Sequence, residues 1–452
     1  MGEVGIPLDG YGQMLVTIFT QISLCYPMED ESKVPAAMQA LDRGLELLAA
    51  SFPWLAGQVV CKGSAEGVTG TSKITPLGRA PRMAVKNLSN DRAMPSMGQL
   101  RRAGYPMHKL DEDIVAPRRT SSGRPDETTA EVFQLQSTII KGGLILTFLG
   151  QHQCMDGVGQ GQVLHLLSKA CRGETFTTEE LRTGSRDPAD AIRLLDQAFW
   201  TPGPEVRYNK VESLPADYAK RRMPSGIWCH FSFSHDALLT LKRVAAQGLP
   251  ASTPYVSTDD ALSAFIWQSI VRARLTRLPG DSPVLFARSV DIRGHVGISA
   301  TYPGFAQCMT YHDKFSTRQL VDSPLGTVAA DLRAAVARET STLAYDARSL
   351  ATLVSRTPDK ATVSFLGGGF DMTRDVMLNS WAKQDAYHLD FGMGLGLPEA
   401  VRRPRFDAFQ GLVYLLPKRP DGEIGVAICL SEDDMQRLRE DIGFMEFAKL
   451  VG

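Results

Sequence analysis

The chain has 452 residues, more than one ordinary hydrophobic core supports, so at least two domains are expected. Its composition, 43% hydrophobic and 22% charged, is that of a globular protein. With 49 basic against 50 acidic side chains the net charge is −1, which gives no sign of nucleic acid or an anionic membrane as a main partner.

Seven scattered cysteines without a Cys-x-x-Cys argue against a disulfide framework and against a cysteine-built zinc site. They point to a reducing, cytoplasmic compartment. The N-terminal "MGEVGIPLDGYGQM" lacks the basic and apolar regions of a secretory signal, and Ile6 stands where a myristoylation signal wants Ser or Thr. No apolar run reaches the length of a membrane span.

In chain order, "VPAAMQALDRGLELLAASFPWLAG" reads as an amphipathic helix ended by Pro53 and Gly57. "GTSKITPL" and "RMAVKNL" read as short strands. "DEDIVAPRRTSSGRPDETTAE" has no periodicity and reads as an exposed loop. "VFQLQSTII" and "LILTFLGQH", joined by Lys141-Gly142-Gly143, read as a hairpin. Residues 1–190 thus form a first domain, and a stretch rich in Pro, Gly and charge over 191–226 reads as a crossover.

The second domain, 227–452, opens with the alternating strand "IWCHFSFS" and the helix "HDALLTLKRVAAQG". In "VSTDDALSAFIWQSIVRARL", Ser257 and Asp260 have capping-box spacing, and Leu262, Phe265, Ile266 and Ile270 share a helix face. The helix "LGTVAADLRAAVARE", the strands "GLVYLLPK" and "EIGVAICL" and a helix from Glu432 follow. Both halves are therefore α/β.

One stretch concentrates chemistry. After the strand ending at Gln151 comes His152-Gln153-Cys154-Met155-Asp156-Gly157, and then a helical pattern. Asp-Gly before a helix is ordinary turn and cap chemistry, and a lone His at a strand end is often structural. A metal half-site lacks further ligands, since no His-Glu-x-x-His or cysteine cluster is present. A serine hydrolase would want a Gly-x-Ser-x-Gly elbow, which is absent. "GVGQGQ" lacks the Lys and Ser/Thr of a phosphate loop, and the "DFG" at Asp390 lacks the other kinase elements. What remains besides the turn is a neutral histidine able to take a proton from a hydroxyl, with Asp156 either reaching the imidazole or turning away to brace the loop. Cys154 reads as a packing residue.

His152-x-x-x-Asp156-Gly157, followed far along by Asp390-Phe391-Gly392-Met393-Gly394, resembles the BAHD family of acyl-CoA-dependent acyltransferases. "FPWLAGQV", "STDDALSAFIW", "SVDIR" and "DGEIGVAICLSEDDM" fit the same family. "QISLCYP", "KGGLILT", "LLSKACR", "MTYH", "SWAK", "DFGMGLGLPEAVRRPRF" and "PKRPDGE" bring the chain closest to the fungal trichothecene 3-O-acetyltransferases.

The resemblance implies two chloramphenicol-acetyltransferase-like domains, each a mixed sheet flanked by helices, with an active-site channel between them. It implies acetyl-CoA as co-substrate, no metal, and a monomer acting on a hydroxyl of a bulky, terpenoid-like metabolite such as a trichothecene. His152 would be the general base. Asp156 would pair with Arg293 as a brace, and Asp390, Gly392 and Gly394 would be structural. Asn379, Ser380 and Trp381 are the oxyanion candidates.

Ser257 and Thr258 match a coenzyme-contacting stretch. Arg402 and Arg403 would either meet coenzyme phosphates or form a solvated surface pair, and His388 reads as a core histidine. Departures from the family pattern are Met393 in place of Trp, and a loop from Ala300 to Cys308 that lacks expected asparagines. Gly157 follows the wider family. Transfer to an amine, or a homologue that binds metabolite without transfer, are the alternatives.

Overall fold

The computed structural model describes residues 5–14, 17–81, 83–121, 131–186, 191–196, 198–211 and 225–452. Strands alternate in facing and helices bury an apolar stripe, and the chain answers with three sheets. A small sheet joins β1 (Ile6–Pro7), β3 (Gly57–Lys62) and β4 (Thr71–Pro76) in the order β1-β4-β3.

The five-stranded sheet holds β2 (Phe19–Pro27), β5 (Met83–Asn87), β6 (Phe133–Ile140), β7 (Gly143–Gln151) and β12 (Ala400–Arg402) in the order β12-β2-β7-β6-β5. Only β5 and β6 run parallel in it. The Lys141-Gly142 turn, with Gly142 at φ 76°, closes the β6–β7 hairpin. Ile22, Leu24 and Tyr26 of β2 and Leu144, Leu146 and Phe148 of β7 point to one face. That face is covered by the Val34–Ser51 helix and by the Gly157–Cys171 helix, called here the motif helix.

The seven-stranded sheet holds β8 (Ile227–Phe233), β9 (Phe286–Asp291), β10 (Gln307–His312), β11 (Val376–Ser380), β13 (Leu412–Leu415), β14 (Ile424–Leu430) and β15 (Ala448–Leu450). Their order is β10-β9-β11-β13-β14-β8-β15, with β9, β11 and β13 parallel and the rest antiparallel. The Thr258–Arg274 helix packs on this sheet; it is buried nearly all round and encloses Trp267 completely. Ser257 caps it in a reciprocal capping box with Asp260. The protein is thus two mixed α/β halves, each a mixed sheet flanked by helices.

The halves exchange chain. β12 leaves the second half and pairs with β2, and Ala386, Tyr387, Leu389, Phe391, Met393 and Val401 pack into the core of the first. Residues 111–121 are also not the exposed loop expected. Glu112–Val115 is a short helix, and Glu112 is buried, its Oε2 taking hydrogen bonds from the Thr120 amide and hydroxyl and from Gln21 Nε2. The apolar period is missing because the segment covers a polar sheet face; residues 122–130 lie outside the described residues. So do residues 197 and 212–224 of the crossover.

Candidate active site

β7 ends at Gln151, and the chain turns there through two hydrogen bonds from Cys154 N and Met155 N to the Gln151 carbonyl. The His152 amide donates to Ile18 O at 2.9 Å, which fixes the histidine backbone against the strand entering β2. His152 is half-buried, its ring 5.3 Å from that of Phe305 in the second half.

Nδ1 of His152 lies 3.0 Å from the Met155 carbonyl. A carbonyl only accepts, so Nδ1 carries the hydrogen and Nε2 keeps its lone pair. Burial lowers the proton affinity of the ring below that of an ordinary histidine, and the charge of Arg403 adds to this. The Met155 hydrogen bond and the charge of Asp156 oppose it. The result is a neutral imidazole with one free basic nitrogen.

Asp156 does not touch that ring by any hydrogen bond. It caps the motif helix, Oδ1 accepting from Gly159 N at 2.7 Å, while Oδ2 accepts from Ala306 N at 2.7 Å. Arg293 grips both oxygens, Nη1 to Oδ2 at 3.1 Å and Nη2 to Oδ1 at 3.2 Å. The remaining Arg293 donors go to Asp291 and to the carbonyls of Tyr302 and Gly304. A buried ion pair survives when its other lone pairs and protons are also satisfied, and here they are. The motif helix can approach so closely because position 159 has no side chain: a Cβ there would sit 2.2 Å from Pro303 O.

Asn379, Ser380 and Trp381 come from the end of β11. Val376 and Leu378 face the core of the second half, so Met377 and Asn379 face the other way. The Ser380 hydroxyl donates its one proton to Asp259, which leaves none for a substrate oxygen. Asn379 is buried and makes no side-chain hydrogen bond among the described residues. The Trp381 ring lies against the first turn of the motif helix, its Nε1 2.9 Å from where a Cβ on Gly157 would stand. Gln384 Nε2 donates to Gly157 O at 2.8 Å and seals that contact.

A cavity of about 980 Å³ opens between the motif helix and the second half. Asp156, Gly157, Ser257, Ser380 and Trp381 line it, while His152 is not part of its wall. Ser257 presents an oxygen already engaged with Asp260, and Thr258 is not in the wall.

Arg402 does not line the cavity and is no solvated surface group. It is buried, and its guanidinium donates to the carbonyls of Gly104, Tyr105 and Val401. Arg403, directly after β12, is buried as well, since the pairing of β12 with β2 draws this segment against the first half. His388, expected in the core, is largely exposed and pairs with Asp385.

Asp390, Gly392 and Gly394 sit at the far end of the motif helix. The Asp390 carbonyl accepts from Ser168 Oγ and its carboxylate from Gly392 N, Gly392 and Gly394 take φ of 63° and 70°, and Phe391 stacks on Phe148. The helix of 15 residues puts this turn about 20 Å from His152. Cys154 is fully buried and its thiol is pushed up to about 12 by that burial, as suits packing.

Sequence reading missed Phe305, Gln384 and Asp259, and placed Arg403 at coenzyme phosphates or on the surface where the structure buries it. Only the Ala300–Cys308 departure hinted at any of them. Among the described residues no cluster of three or more metal-ligating side chains occurs, and no helix is long and apolar enough to cross a membrane.

Two halves, each a mixed sheet flanked by helices, with a His-x-x-x-Asp turn at their seam define an acyltransferase class, and comparison with known proteins supports it. Residues 114–445 match the transferase family, and residues 18–171 match the trichothecene 3-O-acetyltransferase-like N-terminal domain. The chain belongs to this transferase family, the BAHD acyltransferases, and is an enzyme of that kind.

It is 45% identical to trichothecene 3-O-acetyltransferase TRI101 of Fusarium sporotrichioides, over 99% of this chain and 97% of that protein. It is 43% identical to O-acetyltransferase dmxR13 of Cryptosporiopsis sp. (strain 8999), over 98% and 97%. The crystal structure of F. sporotrichioides TRI101 complexed with coenzyme A and T-2 superposes with a TM-score of 0.92 at 44% identity, covering all of both chains.

Proposed function

We propose that the protein transfers the acetyl group of acetyl-CoA to a hydroxyl of a bulky, terpenoid-like secondary metabolite, a trichothecene being the first candidate. The observation that carries this is the His152 ring, held by Met155 so that Nε2 is the basic nitrogen. Nε2 takes the proton of the acceptor hydroxyl as its oxygen attacks the thioester carbonyl. The tetrahedral oxyanion collapses and expels the coenzyme thiolate, which recovers the proton from His152. No covalent enzyme intermediate is needed, so both substrates are bound together.

Asn379 and Trp381, each with an N–H that no described side chain or carbonyl takes, are the better oxyanion donors of the three candidates. The cavity beside Trp381 suits the coenzyme. Arg338 and Lys383 in its wall have no ion-pair partner among the described residues, which suits phosphate oxygens. A hydroxyl acceptor is favoured over an amine because the relatives at 45% and 43% identity are O-acetyltransferases. Both halves supply site residues from one chain, so a monomer suffices, and seven free cysteines suit a reducing cytoplasm.

The test is to incubate the purified protein with acetyl-CoA and deoxynivalenol, T-2 mycotoxin or a fungal metabolite extract. Mass spectrometry should find an acceptor heavier by one acetyl group and an equal amount of free coenzyme A. His152→Ala should lower turnover by at least about 10²-fold while coenzyme binding and melting temperature stay near wild type. Near-normal turnover in that variant, or acetylation only of amines, would overturn the reading.

A further inference from the structure

Residues 5–14 bridge the two halves. Leu8 packs into the core of the first, while Tyr11 and Met14 pack with Phe305 and Ala347 of the second. The Tyr11 hydroxyl donates to Ala347 O at 2.6 Å. Between these anchors the segment meets the turn that carries His152. A Cβ on Gly12 would stand 2.2 Å from Gln153 O, a backbone atom one residue beyond the histidine.

Asp9 gives that contact a direction. Its Oδ2 accepts from Arg186 Nη2 at 2.7 Å and from Phe305 N at 2.8 Å, and its Oδ1 accepts from the Tyr302 hydroxyl. Arg186 uses Nη1 to hold Cys154 O. The peptide joining Cys154 to Met155 is thereby gripped at both ends, since Met155 N donates to Gln151 O. The next carbonyl along is the one that Nδ1 of His152 meets. Phe305, whose amide donates to Asp9, sets its ring 5.3 Å from the imidazole. One carboxylate thus fixes both the turn that orients His152 and the ring beside it. Asp156, the carboxylate of the turn itself, is taken by Arg293. Arg186 has only 2% of its side chain exposed and holds φ at 61°, a left-handed backbone that is costly for a residue with a Cβ. A buried cation on a strained backbone, aimed at one carbonyl of the His152 turn, is more than contact between two halves requires.

We propose that Asp9 is a positioning residue for the transfer: through Arg186 and Phe305 it holds the His152 ring in the orientation and tautomer that leave Nε2 as the proton acceptor. This rests on the reading of His152 as general base, but its first readout needs no acceptor and no turnover.

The full chain with ¹⁵N in its histidine rings reports the tautomer of each ring by NMR at mildly alkaline pH, where the rings are neutral. His152→Gln identifies the signal. Wild type should show His152 with hydrogen on Nδ1 alone. In Asp9→Asn, which keeps the shape but releases Arg186, the Nε2–H tautomer should appear, because the peptide leading to Met155 O is no longer fixed. With acetyl-CoA and an acceptor, kcat should fall by about 10²-fold, the cost of a small misplacement of a reacting group. The KM for acetyl-CoA should stay near wild type, since neither Asp9 nor Arg186 lines the cavity assigned to the coenzyme. Gly12→Ala presses on Gln153 O without removing an ion pair and should move the same signal, so it carries the test where Asp9→Asn fails to fold. Gly10→Ala, with nothing within 4 Å of its Cβ, should change neither signal nor kcat. An unmoved tautomer or a wild-type kcat in the folded variant overturns the proposal. So does a KM for acetyl-CoA raised as much as kcat is lowered, since the segment would then only join the halves. Failure of the acyl-transfer reading shows instead as no acetylated product from wild type, with the tautomer still moving in the variants.

Discussion

Asp156 and Arg293 lie 137 positions apart and meet as a two-pronged ion pair across the seam of the two halves, with about 1% of either side chain exposed. The pair is stable because every remaining donor and acceptor is also engaged. Removing one partner strands the other charge in the interior, which costs about 3–5 kcal/mol. Arg293→Met and Asp156→Ala should therefore lose stability of that order in denaturant unfolding, and activity should fall with it. Asp156→Ala loses a helix cap in addition. A variant that unfolds at the wild-type denaturant concentration yet has no activity would mean that Asp156 acts on the chemistry and not as a brace.

The glycines of "GVGQGQ" should behave differently although they share one helix. A Cβ at Gly159 would stand 2.2 Å from Pro303 O and 2.8 Å from Gly304 O, both backbone. Gly159→Ala should push the loop carrying Ala306 away from Asp156, at about 1–3 kcal/mol, and lower activity. A Cβ at Gly161 meets only the flexible Gln384 side chain at 3.9 Å. Gly161→Ala should be neutral or stabilise by up to about 1 kcal/mol, since Ala favours the helix. Paired thermal melts check both directions at once.

Stability should fall on acidification below about pH 6.5, the ordinary histidine value. His152 and His230 are both held below that value by burial. The unfolded chain binds protons there that the folded chain refuses, so unfolding becomes easier as pH drops toward the folded-state values. Each histidine contributes a slope of up to about 1.4 kcal/mol per pH unit in that window. His230 is the stronger case, as neither ring nitrogen has a hydrogen-bond partner and Arg402 adds to the effect of burial. His230→Phe should flatten the acid slope of urea midpoints measured between pH 7.5 and 5. An unchanged slope would mean that carboxylates dominate it.

Which parts of this were legible in the sequence follows from range. The hairpin of β6 and β7, the turn at His152 and the capping box at Ser257 are set by residues a few positions apart, so alternation and cap chemistry reveal them. The burial of Arg402 and Arg403 is set by β12, a three-residue strand whose pairing with β2 joins residues nearly 380 positions apart in chain order. No local pattern in "EAVRRPRF" reports that. The same holds for Glu112, whose partner Gln21 lies 91 positions away on β2. His388 failed oppositely. Its apolar neighbours Tyr387 and Leu389 do enter the core, and the short helix Ala386–His388 turns its own ring outward.

The end of β11 allows the oxyanion donors to be separated. Ser380 has already given its proton to Asp259, which in turn holds Arg288. Ser380→Ala should therefore change turnover only modestly, through a loosened Asp259. Asn379 has an amide without a partner among the described residues and faces away from the core of its own half, so its N–H is available for charge that develops during transfer. Loss of such a donor lowers kcat by about 10²–10³-fold. Asn379→Ala should show that loss with the KM for acetyl-CoA little changed, because the interaction forms mainly in the transition state. Trp381→Phe keeps the ring against Gly157 but removes Nε1–H, and distinguishes the indole from the amide as donor. Steady-state kinetics with a common acceptor checks all three. Equal losses in Ser380→Ala and Asn379→Ala would show that the strand end acts through its shape and not through a single donor.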